Sequence, residues 1–110
     1  MSYFEIDMVI TAATEKALEV SGVYFKDLVA FHLKNKYEAG FEIVALDPGK
    51  FHDAIFDLVG EFSTRILETL IIQSLLGAPM SANHHAASFI QIIQKIRSGE
   101  LKMAEPVVPQ

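Results

Sequence analysis

Residues 81–89, SANHHAASF, set two imidazoles side by side, His84 and His85. Neutral imidazole binds transition metals and moves protons near neutral pH. On a helix, successive residues point about 100° apart, and ligand pairs stand at i,i+3 or i,i+4. Adjacent histidines therefore cannot close on one ion. His85 lines up with Phe89, Ile92 and Ile96 on the apolar face, where a packed core imidazole is expected. His84 lines up with Ser88, Gln91 and Lys95 on the polar face, where a solvated side chain is expected. A helix opening at Ser81 disfavours imidazolium, which leaves both rings neutral and able to take a metal if His32 or His52 joins from another helix or subunit. His84 and His85 are thus the metal-ligand candidates, weighed against a reading in which neither does chemistry.

The remaining polar groups point less sharply. Asp53, Asp57 and Glu61 form an i,i+4,i+8 acidic ladder, which can collect a hard cation but more often forms a solvated face. His52 adjoins Asp53 in sequence but not in direction. His32 sits among Leu28 and Leu33 and reads as a core histidine. Ser63 and Thr64 suit helix caps better than nucleophiles, since no glycine-rich nucleophile elbow surrounds them. The run DPGK lacks both the glycines before it and the Ser or Thr after it that a phosphate loop needs. No dinucleotide fingerprint, EF-hand or H-E-x-x-H motif is present, so no cofactor and no catalytic residue are expected.

Composition narrows the class. A chain of 110 residues fits one domain, and zero cysteines exclude disulfides and thiolate sites. Fourteen acids against nine bases give a charge of −5, which disfavours binding to a phosphate backbone. Helix two, with Lys26, Lys34 and Lys36, is the one basic candidate, diluted by Asp27 and Glu38. The longest nearly apolar run, Ile66–Gly77, is too short and too polar for a bilayer span of about 20 residues. The acidic start MSYFEIDMV resembles no signal peptide. A cytoplasmic location away from membranes is expected. The hydrophobic fraction of 51% and mean hydropathy of +0.30 are high. That excess hints at apolar surface covered by a partner.

The elements that must position these groups are helices. Ser2 and Glu5 make a capping-box pattern before a helix near Tyr3–Val20, whose apolar set is Ile6, Val9, Ile10, Ala13, Ala17 and Val20. A second helix, near Tyr24–Glu38, carries Phe25, Leu28, Val29 and His32 on one face. The stretch GFEIVALDPGKF has extended character, as a loop or a short strand near residues 41–46. Asp47-Pro48 opens a helix that buries Phe51, Ala54, Ile55, Leu58 and Val59. Gly60 breaks or kinks it. Beyond, Ile66, Leu67, Leu70, Ile71 and Leu75 are the expected inner stripe, with Ile72 and Leu76 outside it. A last helix runs to Ser98. The fold class is mainly α, a compact bundle of about five helices, with residues 1–99 as one domain and 100–110 as a flexible or extended tail.

The lead-in ALEVSGV, the helix LVAFHLKNKYEAGFEI, the loop with Pro48 before KFHDAIFDLVG, and the run FDLVGEFSTRILETLIIQSL together cover roughly residues 17–76. In these pieces the chain resembles the small archaeal Nitrosopumilus output domain family, whose function is unknown. The resemblance implies a helical domain attached to signalling or regulatory architectures, with no catalytic residues to carry over.

The residues thus predict a non-catalytic interaction or regulatory domain acting through a homodimer or another protein partner. Phe56, Ile72 and Leu76, outside the inner stripes, are the expected shared surface, because an isologous dimer is the commonest way to hide such a patch. The alternative is a small-molecule or metal-binding domain using His84 or His85.

Overall fold

The structure, a computed structural model, describes residues 2–77 and 86–104. Among them the chain forms α1 (Tyr3–Ser21), α2 (Val23–Tyr37), α3 (Ile43–Leu46), α4 (Pro48–Leu76) and α5 (Ala86–Ser98). Local chemistry accounts for the boundaries. Ser2 Oγ accepts from Glu5 N at 3.2 Å. One of the unpaired N–H groups in the first turn of α1 is thereby satisfied. Asp47 Oδ1 does the same for Lys50 N at 3.2 Å, with Pro48 in the first turn of α4. Proline suits that position because its missing N–H would have no partner there. No helix among the described residues is long and apolar enough to cross a membrane.

Residues 41–46 correct the expected extended stretch. Ile43 N, Val44 N and Ala45 N bond back to Gly40 O, Phe41 O and Glu42 O at 3.0–3.3 Å, which winds a short helix instead of a strand. The reason lies in burial: Ile43, Val44 and Ala45 are all inside, whereas a strand sends successive side chains to opposite faces.

α4 touches each of the other four helices and bends at Gly60, where φ 79° and ψ −177° leave the helical region. That backbone conformation is open essentially only to glycine. The bend lets one helix serve two directions. Its first half places Phe51 against Phe89 of α5, ring centroids 6.4 Å apart. Around this centre Ile10, Leu18, Val29, Leu33, Ile55, Ile71, Ile93 and Ile96 are buried. Each such side chain contributes about 1.5–3 kcal/mol of burial.

The tail expected beyond Gly99 is packed over the residues that are described. Leu101 and Met103 lie against the core, and Ala104 N donates to Leu75 O at 2.8 Å.

Two helices are rotated from the faces their apolar residues predict. In α1, Thr14 and Leu18 are buried while Val9 and Val20 are exposed. The Thr14 hydroxyl donates to Ile10 O at 2.9 Å. Its burial therefore leaves the hydroxyl satisfied. In the later half of α4, the buried set is Thr64, Leu67, Glu68, Thr69, Ile71, Ile72 and Leu75, and Ile66 and Leu70 turn outward. Thr64 and Thr69 donate to Gly60 O and Arg65 O in the same way.

Candidate functional site

Glu68 is the polar side chain that the α4 rotation has to accommodate, and its partner comes from the other half of the same helix. Because Gly60 folds the chain back, His52 Nδ1 reaches Glu68 Oε2 at 2.8 Å. The Glu68 side chain is 1% exposed and that of His52 17%. A carboxylate oxygen accepts, so the Nδ1–H is the group that donates to it. This is how a carboxylate fixes an imidazole tautomer in bases and metal ligands. The ring also lies against Phe56, centroids 6.1 Å apart, which holds its orientation.

A second imidazole–carboxylate contact joins α2 to the first half of α4. His32 Nε2 stands 3.2 Å from Asp57 Oδ2, and Lys36 Nζ bonds the same oxygen. Lys36 foremost, then His32, holds the Asp57 carboxyl below the usual carboxylate range, and Asp57 in turn raises the Lys36 ammonium. A third polar tie closes the opposite end. Arg97 of α5 grips Asp7 of α1 through two bonds, 2.8 and 3.1 Å. That is the fork geometry that suits a carboxylate.

The three acids Asp53, Asp57 and Glu61 are all exposed, as a solvated face requires: Asp57 is taken by α2, Glu61 accepts from Arg65 at 2.6 Å, and Asp53 is left on the surface. Among the described residues no group of three or more His, Asp or Glu could hold a metal ion. His84 and His85 lie outside the described residues. His32 and His52, their expected companions, each face a carboxylate of the chain itself. The basic helix candidate is likewise engaged, since Lys26 pairs with Glu19 at 2.8 Å and Lys36 with Asp57.

Of the three expected interface residues, Phe56 is exposed and Leu76 half-buried. Ile72 is fully buried in the core, so it presents no surface to another molecule. The outward apolar residues of α4 are instead Phe62, Ile66 and Leu70, at i, i+4 and i+8. α2 repeats the arrangement with Tyr24, Leu28 and Phe31 outside and Val29 and Leu33 inside.

The sequence matches the family described as Nitrosopumilus output domain 5 over residues 5–98. The chain belongs to that family. The match extends beyond residues 17–76 at both ends and takes in α5. Its function is unknown, so the family assigns no role to the histidine pairs. The crystal structure of PH0832 from Pyrococcus horikoshii OT3 is similar to this chain, with 30% identity and a TM-score of 0.69. The likeness covers 86% of this chain and 98% of that one. No curated protein matches.

The dyad His52–Glu68 escaped the sequence reading, although a signal existed. Glu68 stands three and seven residues before Ile71 and Leu75, on the buried face of an otherwise apolar run. Asp7 and Arg97, 90 residues apart, carry no such local signal.

Proposed function

We propose that this domain is a non-catalytic association module that works as a homodimer, with the outward stripes of α2 and later α4 as the shared surface. The observation that carries this reading is that both helices are apolar on two faces. Inside, Val29, Leu33, Leu67, Ile71 and Leu75 fill the core. Outside, Tyr24 is 88% exposed, Phe31 68% and Phe62 76%. Aromatic side chains in that state cost solubility unless something covers them. A two-fold pairing covers both copies at once, because the same patch faces itself. Phe56, which is exposed, remains a candidate, and Phe62, Ile66 and Leu70 take the place assigned to Ile72.

Sedimentation velocity at tens of micromolar tests the proposal. A dimer is expected, and Phe31→Ser combined with Phe62→Ser is expected to release monomers with an unchanged far-UV spectrum. An unmodified chain that sediments as a clean monomer refutes it.

A further inference from the structure

Away from those stripes, α1 presents a face built for a different occupant. Phe4, Met8 and Leu46 of α3 form the apolar floor of a surface groove of about 450 Å³. Phe4 is 73% exposed, and Met8 and Leu46 are each 56% exposed. The rim is acidic. Asp7 is neutralised by Arg97, but Glu15 and Glu42 enter no ion pair among the described residues. Glu42 does accept from Gly40 N at 3.0 Å, which keeps its carboxylate ordered beside the groove.

We propose that this groove receives a basic amphipathic helix of a partner protein. From Phe4 to Glu15 the face runs eleven residues, about 16 Å or three helical turns, the reach of a short helix laid in a groove. Apolar residues of that helix at i, i+3 or i+4, and i+7 meet Phe4, Met8 and Leu46. Lysines or arginines along its edge meet Glu15 and Glu42. Charge selects this occupant over the others. A second copy docked by the same face sets Glu15 and Glu42 against their own counterparts, and an anionic lipid surface is repelled by the same two carboxylates. The groove shares no residue with the α2 and α4 stripes, so the inference stands apart from the dimer proposal.

Fluorescence anisotropy with a labelled helix-forming peptide of leucine and lysine, about fourteen residues long, tests it. Leucines occupy one helical face of the probe and lysines the rest. Saturable binding is expected, about tenfold tighter or more than for a leucine–glutamate peptide of the same pattern or a serine–lysine peptide of the same charge. Phe4→Ser with Met8→Ser is expected to weaken binding about tenfold. Glu15→Gln with Glu42→Gln is expected to weaken it and remove most of its salt dependence. Phe4, Met8 and Glu42 are exposed and Glu15 is half-buried, so none of the four belongs to the core and thermal melts of the variants should superimpose on the parent. Equal binding of the serine–lysine peptide, or unchanged binding by either double variant, overturns the proposal, as does the lack of any saturable binding. A change in oligomeric state caused by Phe4→Ser with Met8→Ser also overturns it, because the groove then belongs to a second copy.

Discussion

Removing His52 should cost far more than neutralising Glu68, although the two make one bond. His52→Leu keeps a side chain against Phe56 but leaves the Glu68 carboxylate, 1% exposed, without its imidazole donor. Removing one donor from a buried acceptor costs about 1–3 kcal/mol, and a carboxylate acceptor places this variant at the upper end, about 3 kcal/mol. For a chain of this size that is a fall of roughly 10–20 °C in Tm. Glu68→Gln keeps the volume and an oxygen for Nδ1–H, and it has no charge to bury, so its cost is expected within about 1 kcal/mol. The double variant is the decisive member of the cycle. With no buried carboxylate left behind, the loss of His52 hurts less, and at least about 1 kcal/mol of the single-variant loss should return. Urea titrations at neutral pH, followed by far-UV circular dichroism, read all four corners. A His52→Leu cost below about 1 kcal/mol, or strictly additive costs, refutes the claim that the pair sustains a buried charge.

Gly60→Ala should destabilise by about 1–3 kcal/mol, because the left-handed backbone there is strained for any side chain. Nothing lies within reach of the added methyl, so the cost is the backbone conformation alone. A urea midpoint equal to the parent's refutes that reading. Arg97→Ala strips the two bonds from Asp7, whose side chain is 19% exposed. Losing that charged donor should cost about 1–2 kcal/mol in the same titration, with Arg97→Lys restoring only part. Lys36 and His32 hold Asp57 below its ordinary 3.8. The contact therefore favours the fold above that pH and loses its effect as pH falls through the lowered value. The stability gap between the parent and Asp57→Asn should close on acidification, and a gap that widens in acid contradicts the assigned pairing.

The positions of the longer helices, their caps and the Gly60 break were legible because each rests on local chemistry: Ser2 and Asp47 as caps, Pro48 in a first turn, glycine where the chain must turn. The short α3 was not, because its residues alternate as a strand would. Helix faces were less legible, and the misread residues share one cause. A hydropathy pattern treats Thr14, Thr64, Thr69 and Glu68 as outward-facing polar residues. Each threonine instead returns its hydroxyl to a carbonyl four residues earlier, and Glu68 meets an imidazole sixteen residues away. Once satisfied, such groups can be buried without the desolvation penalty that would otherwise keep them outside. The consequence reaches past the core. On α4, Glu68 and Ile66 lie two residues apart, roughly opposite on the helix, so turning Glu68 inward to His52 turns Ile66 outward, and Phe62 and Leu70 with it. The exposed stripe proposed for dimerisation and the buried pair are therefore two sides of one rotation. The proposed dimer interface on this helix rests on the orientation of a carboxylate that lies on its opposite side.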